Sequence, residues 1–396
     1  MAIQVLKPTD VPALSRLQTT AVIVGGIGLA LGVVGFFTNR DAFFQSWLIG
    51  FIFCLGLTLG SLGLLMLQHL SGGQWGFVGR RIFEAASGTI PLVILFFIPI
   101  LFAMPELFKW ARPELVANDA ILKAKEPYLN VQFFIIRAVI YFAFWVFCVW
   151  MLNSWSAAQD RAELATDPAG VVRFRKLSAP GILFLVLTIT FATTDWVMSL
   201  DPHWFSTIFG LMFTAGFGLS ALALTTVVLS TVGATGALAG HLAPRHFHDF
   251  GKLLLAFTML WAYLNFSQFL IIWSGNLPEE IPWYIERMHG AWGFVAVALV
   301  VGHFFLPFLL LLSRDLKKSK WLPRVAIFIL VMRLVDTIFL IAPSWEHHGF
   351  PLHWLNLALP AGLTGVWLFL FARNLQSRAL MPLNDPYLKE AFHEAH

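Results

Sequence analysis

Ten long apolar runs, separated by short polar segments, set the pattern of this 396-residue chain. A helix needs about 20 apolar residues to cross a bilayer, and these runs are long enough. No segment alternates apolar and polar residues with the period of a strand. The pattern predicts an all-α polytopic membrane protein with transmembrane helices near 20–37, 43–68, 82–104, 130–152, 178–200, 206–231, 251–274, 290–313, 321–342 and 353–373.

The first run is the weakest of the ten because five glycines occur in it: Gly25, Gly26, Gly28, Gly32 and Gly35. Glycine lowers helix stability, but it also lets two membrane helices approach closely. Both interpretations stay open at this point. The run begins near Thr20 and lacks a convincing small-residue cleavage site, so we expect a retained helix rather than a signal peptide.

The composition agrees with a membrane protein and excludes other classes. Charged residues make up 12% of the chain, against about 25% in soluble domains. The formal net charge of +4 does not indicate nucleic-acid binding, because the basic residues lie in short loops between apolar runs. We therefore expect a single transmembrane domain over residues 1–396, in contact with the lipid bilayer and not with nucleic acid.

No residue pattern indicates a metal or haem site. Cys54 and Cys148 lie in apolar runs, as packing residues do, and no CxxC or CxxCH motif is present. The segment HFHD at 246–249 resembles a metal cluster but lacks a clear third and fourth ligand. His303 lies near the middle of a span, and we expect a hydrogen-bonded core residue there. Histidines at span ends or in loops include His69, His246, His248, His289, His347, His348 and His353.

Loop charges predict the orientation. An even number of spans puts both termini on one side, and eighteen of the 26 Lys and Arg residues fall there. Six fall on the other side, and Arg137 and Arg333 fall inside spans. Cytoplasmic loops carry an excess of Lys and Arg. We therefore expect both termini and the tail 374–396 on the cytoplasmic side of a bacterial inner membrane. The longest loops, 105–129 and 153–177, are too short for independent domains.

Ionisable residues inside the spans are the first functional candidates. An Asp at mid-helix costs about 2.5–3.5 kcal/mol on insertion scales, so Asp195 needs a partner or a role. Either it belongs to a proton- or quinone-handling site near one membrane face, or the helix end is simply polar, with Asp201 and Pro202 in a turn. Arg333 and Asp336 are three residues apart and share a helix face, where they form either a fixed pair or part of a proton relay. Arg137 lies in the outer part of its span, and we favour a side chain that snorkels outward.

A proton route would use nine residues of this kind. They are Glu84 and His69 near the cytoplasmic entrance, His303, Arg333 and Asp336 deeper in the membrane, and Arg137, Asp195, Asp201 and His203 towards the outside. Pro91 follows Glu84 and frees a backbone carbonyl, which is compatible with a hydrated entrance. Helix capping or an interfacial charge explains Glu84 equally well.

The fifth and ninth runs resemble each other weakly. Asp195 and Asp336 lie in their outer halves, and each run then reaches an outer turn with Trp and His, DPHWF at 201–205 and SWEHHGF at 344–350. A parallel repeat of residues 43–200 and 206–342 would produce this pattern. It predicts two four-helix bundles side by side, plus one helix at each end of the chain.

The segment FATTDWVMSLDPHWFSTIFG at 191–210 resembles the signature region of the F-subunit family of alternative complex III, a bacterial quinol-oxidising respiratory complex. Shorter similar stretches are RRIFEAASGTIPLVILFFIPI from Arg80, KEPYLN from Lys125 and RFRKLSAPGILFLVLTITFATTDW from Arg173. The resemblance extends over nearly the whole chain. This family belongs to the polysulfide-reductase-type membrane subunits, which implies the same two four-helix bundles with a helix at each end.

The resemblance implies a subunit that binds no cofactor itself, in a complex that oxidises menaquinol or another quinol. Haem c and iron–sulfur clusters would lie in partner subunits. The implied partners are a paralogous quinol-binding membrane subunit, multihaem cytochrome c subunits, an iron–sulfur subunit and small membrane subunits. The chain would pack beside the quinol-binding subunit, where a proton pathway is a candidate role. Two other classes stay open, a free-standing secondary transporter and the quinol-binding anchor of a polysulfide-reductase-like enzyme.

Overall fold

A computed structural model describes residues 11–161, 168–234, 242–318, 320–345, 353–382 and 384–386. Within these ranges the chain forms helices and no strand. Ten helices are long and apolar enough to cross a membrane, so the chain is an all-α multi-pass membrane protein, as the apolar runs predicted. They are α1 (Pro12–Thr38), α2 (Arg40–Ser71), α3 (Gln74–Phe102), α4 (Val131–Asp160), α5 (Val171–Leu200), α6 (Phe209–Gly233), α7 (Pro244–Gly275), α8 (Gly290–Leu312), α9 (Leu322–Ser344) and α10 (Leu355–Gln376).

The side on which α1 begins and α10 ends is called the basic face below, and the other side the opposite face. Short helices lie in the connections at both faces: Met104–Leu107, Pro113–Asn118, Ala120–Lys125 and Pro282–Met288 at the opposite face, and Arg314–Lys318 at the basic face. Several spans extend beyond the predicted bounds. For example, α1 begins at Pro12 rather than near Thr20, because Pro is favourable in the first turn of a helix.

Four spans are irregular at defined places. The helix of α3 is interrupted between Ser87 and Ile90, ahead of Pro91. The middle of α8 is a π-helical turn over Leu299–Phe305. Finally, α5 and α9 each end in a three-residue 3₁₀ turn, Met198–Leu200 and Ala342–Ser344. These last two turns lead into the segments DPHWF at 201–205 and SWEHHGF at 344–350, which resemble each other in sequence.

The two central spans are α2 and α6, whose most apolar stretches are 94% and 83% buried within the protein. They pack against each other; α2 also packs against α3 and α5, and α6 against α7 and α9. The remaining contacts complete two groups of four, α2–α5 and α6–α9, which meet chiefly at α2 and α6, while α5 also packs on α6. These groups match the two bundles predicted from the sequence. Their origin in a repeat stays a prediction.

Helices α1 and α10 pack on each other through glycines, and both contact α2. A Cβ atom added to Gly362 would lie 2.8 Å from the Gly28 carbonyl carbon, so only glycine allows this approach. Gly25 and Gly365 meet in the same way one turn further along. The glycine-rich run is therefore a tightly packed span, which decides between the two interpretations of its sequence.

A pair of alanine substitutions in α1 tests this packing. We expect Gly28→Ala to lower the free energy of unfolding by about 1–3 kcal/mol, because the new methyl group overlaps the α10 backbone. Gly26 has no atom within 4 Å of an added Cβ, so Gly26→Ala should leave stability equal or raise it by up to about 1 kcal/mol through helix propensity. The measurement is thermal unfolding of the purified protein in detergent. Equal stability of the two variants would contradict this packing.

Candidate functional site

The carboxylate of Asp195 is held by two side chains of α4. Arg137 donates from Nε to Oδ2 at 2.8 Å and from Nη2 to Oδ1 at 2.9 Å, and the Tyr141 hydroxyl donates to Oδ2 at 2.9 Å. Asp195 is fully buried and Arg137 nearly so. This two-point, charge-assisted geometry is the strong form of an ion pair. Asp195 thus has the partner that its position in an apolar span requires.

The expectation that Arg137 snorkels outward is wrong. Its guanidinium turns into the bundle because Asp195 offers two charged acceptor atoms there, and its Nη1 donates to the Tyr128 carbonyl oxygen at 2.9 Å. The Tyr128 and Phe133 rings also lie against the guanidinium, at 3.9 and 4.5 Å from their centroids. Together these contacts replace the water that a snorkelling arginine would reach.

In the second bundle, Arg333 and Asp336 form an ion pair across one turn of α9, as their spacing predicted. Trp261 of α7 donates from Nε1 to Asp336 Oδ2 at 3.2 Å, and Arg333 Nε donates to Ser220 Oγ of α6 at 3.4 Å. Gly216 leaves room for the guanidinium, because a Cβ there would lie 2.9 Å from Nη1. The contacts are those of a fixed pair that joins three helices.

His303 lies in the π-helical turn of α8 and is fully buried. Its ring stacks on Trp261, with 4.0 Å between centroids and 8° between planes. Neither ring nitrogen has a hydrogen-bond partner among the described residues. His303 is a buried core residue, as predicted, but the predicted hydrogen bonds are not found among the described residues. π-helical turns frequently occur at functional sites.

Glu84 lies in a buried ion network near the basic face. Arg80 Nε and Arg81 Nη1 donate to its two oxygens at 2.9 and 2.6 Å, and Ser156 Oγ of α4 donates to Oε1 at 2.7 Å. The predicted third span, 82–104, leaves both arginines in a loop, yet they are almost fully buried. Their spacing of three and four residues from Glu84 was the available signal. Glu84 is thus neither a helix cap nor an interfacial charge.

The segment after α10 covers this network. Asp385 pairs with Arg80 Nη1 at 2.8 Å, and Asn384 Nδ2 donates to the carbonyl oxygen of Gln159 at 2.9 Å. The described residues of the predicted tail therefore lie along the basic face; residues 383 and 387–396 fall outside the described part. His69 stacks on Phe174 at 4.6 Å, and the Arg80 guanidinium also lies against the Phe174 ring.

Asp201 and His203 hold loops together at the opposite face. Ser344 Oγ donates to Asp201 Oδ2 at 2.6 Å, and Arg287 Nη2 lies 3.5 Å from the same oxygen. Burial lowers the pKa of Arg287 to about 10, against the opposing effect of Asp201, so it remains a cation at neutral pH. His203 Nε2 lies 2.6 Å from Asp119 Oδ2. The pKa of Asp119 is lowered chiefly by the Leu122 N–H, and also by His203.

At this face, a tryptophan of each bundle contacts a connecting segment of the other bundle. Trp204, which follows α5, stacks on Trp283 of the α7–α8 connection at 4.7 Å and 12°. Trp345, which follows α9, donates from Nε1 to the Leu107 carbonyl oxygen of the α3–α4 connection at 3.1 Å. A parallel repeat would produce this reciprocity. His347 and His348 of the same loop lie outside the described residues.

The nine candidates for a proton route therefore fall into four places. Glu84 and His69 are near the basic face, Arg137 and Asp195 lie in the first bundle, and His303, Arg333 and Asp336 lie in the second. Asp201 and His203 are at the opposite face. Next to Asp195, the Trp196 ring packs on Phe97 at 4.9 Å and on Phe142 at 5.6 Å between centroids. A relay through these residues stays the untested alternative to fixed ion pairs.

No group of three or more His, Cys, Asp or Glu side chains in the described part of the chain is placed to hold a metal ion. In the HFHD segment, His246 Nδ1 accepts the N–H of Ala243 at 3.0 Å and so caps the first turn of α7. The fold and this site define a multi-pass membrane protein with arginine-held carboxylates in both bundles. Neither a protein-family model nor a curated protein matches the sequence.

Proposed function

We propose that this chain is a membrane subunit of a quinol-oxidising respiratory complex of the alternative complex III type. In this role it packs beside the quinol-binding subunit and supplies a rigid membrane platform, while haem c and iron–sulfur partners carry the electrons. The proposed location is the bacterial inner membrane with both termini cytoplasmic. The particular complex is suggested by the resemblance of residues 191–210.

The observation that carries the platform role is the set of contacts made by this same segment. Asp195 joins α5 to α4, and Asp201 and Trp204 join the first bundle to Arg287 and Trp283 of the second. Asp201 and Trp204 of the segment that carries the resemblance are thus among the residues that join the two bundles at the opposite face. A surface built in this way at the opposite face suits a subunit on which extramembrane partners assemble.

A secondary transporter agrees less well with the irregular helices. Broken helices at matched positions of two halves mark the substrate sites of many transporters. Here the interruption in α3 has its counterpart position in α7, which runs unbroken over Pro244–Gly275. The π-helical turn in α8 corresponds to α4, which is continuous over Val131–Asp160. The irregularities inside α3 and α8 are therefore not matched, and the matched 3₁₀ turns of α5 and α9 lie at span ends.

The proposal predicts that the chain is purified with redox partners. We expect an affinity-tagged copy, expressed in its native host and extracted in mild detergent, to bring down c-type haem and iron–sulfur proteins in fixed ratio. The measurements are the haem absorption per tagged chain and quinol:acceptor activity. An unrelated multi-pass protein of the same membrane with the same tag is the control. A monodisperse single chain that transports a solute in liposomes would contradict the proposal.

A second candidate, the quinol-binding anchor of a polysulfide-reductase-like enzyme, is favoured by one pocket. A cavity of about 260 Å³ at the opposite face is lined by Tyr128, Thr194, Met198, Trp204 and Phe205, among others. Its walls are apolar, as the ring of a quinone requires. The same purification distinguishes the two, because an anchor would be recovered without multihaem cytochrome c.

A further inference from the structure

Basic groups from two helices meet at the basic face of the second bundle. The short helix Arg314–Lys318 packs on the first turns of α7. The stem of Lys317 crosses α7 at Gly251, where an added Cβ would lie 2.8 Å from the Lys317 Cδ atom. Lys317 is 7% exposed. Its position is therefore set by packing, unlike that of a lysine free in a loop.

Three further groups, His248, Lys252 and Lys318, lie near Lys317. His248 and Lys252 lie one turn apart on α7 and share a face. The electrostatic influence of Lys252, Lys317 and Lys318 reaches His248, whose Nδ1 atom is buried without a partner among the described residues. Burial, and then the neighbouring Lys252, lowers the pKa of Lys317. The cluster thus brings positive charges together and leaves the buried Nδ1 atom of His248 without a hydrogen-bond partner among the described residues.

The carboxylates at this place do not neutralise the cluster. Asp249 Oδ1 lies 3.2 Å from Lys252 Nζ in a largely exposed pair, which is worth little. Asp315 is exposed on the short helix. In the described part of the chain no carboxylate lies within 4 Å of Lys317 or Lys318. The site is therefore short of negative charge.

We propose that Lys252, Lys317, Lys318 and His248 bind the phosphate group of an anionic membrane lipid. Phosphate offers several oxygen acceptors and negative charge to clustered ammonium groups, and basic pockets between membrane helices bind such headgroups. The position supports a lipid, because the cluster lies where α7 begins and α8 ends, at one face of the apolar spans. The proposal does not depend on which complex contains the chain.

The test compares lipid binding by the purified full-length chain, with its co-purifying partners, in detergent. The probes are fluorescent phosphatidylglycerol and fluorescent phosphatidylcholine. We expect tighter binding of phosphatidylglycerol, weakened about fivefold by Lys252→Gln and about fivefold by Lys318→Gln. Both lysines are exposed, so these variants should fold. Lys176→Gln is the matched control, because Lys176 is an exposed lysine near the start of α5 at the same face.

Competition identifies the source of the phosphate. A lipid site predicts that inorganic phosphate at millimolar concentration leaves phosphatidylglycerol binding unchanged. Full displacement by inorganic phosphate would overturn the lipid assignment and indicate a site for free phosphate. Equal binding of the two lipids, or equal weakening by Lys176→Gln and Lys252→Gln, would overturn the site altogether.

Discussion

Arg137→Gln is expected to lower the free energy of unfolding by about 3–5 kcal/mol, because it leaves the buried carboxylate of Asp195 without its charged partner. Arg137→Gln/Asp195→Asn should recover most of this loss, since no buried charge then remains unpaired. The measurement is denaturant or thermal unfolding of the purified protein in one detergent. Arg40→Gln is the matched control. It removes an arginine from the exposed pair with Glu106, where we expect a loss below about 1 kcal/mol.

Equal destabilisation by the single and the double variant would show that Arg137 acts through packing rather than charge. In the intact complex, the double variant also shows whether Asp195 belongs to a fixed ion pair or to a proton relay. A fixed pair predicts wild-type quinol turnover and proton release, and a relay predicts that both fall. We expect the wild-type values, because Arg137 and Tyr141 hold both carboxylate oxygens.

Trp204→Ala is expected to cost about 3–5 kcal/mol, because it removes a buried ring and leaves a cavity against Trp283. Since Trp204 joins the two bundles, the yield of c-type haem per tagged chain should fall as well. Phe205→Ala is the matched control: the adjacent ring is 53% exposed, and its loss should change stability by about 0.5 kcal/mol or less. The two variants are compared by thermal unfolding and haem content.

A fall in both quantities for Trp204→Ala alone would support the proposal that the joined bundles form the assembly platform. A stable Trp204→Ala chain with wild-type haem content would contradict that role of the segment. Equal effects of both substitutions would instead indicate that the exposed ring contacts a partner directly.

The helices were predictable because each depends on neighbours in sequence. Ten apolar runs predicted ten spans, and a spacing of three residues predicted the Arg333–Asp336 pair. The glycines of the first run indicated close packing but not the partner, which is α10 at Gly362 and Gly365. The length of an apolar run predicts a span, and the helix period predicts which residues share a face. Neither prediction requires knowledge of the other helices.

The contacts between helices were decided only by the tertiary structure. Arg137 and Asp195 are 58 residues apart, and Arg80 and Asp385 are 305 apart. Nothing in the spacing of such residues shows that their helices are neighbours, so Arg137 was expected to point outward. The sequence by itself determined a ten-span membrane chain and the candidate charges within it. Only the packing of helices decided which charges on different helices meet, because such an ion pair depends on the distance between two helices and not on the period of either.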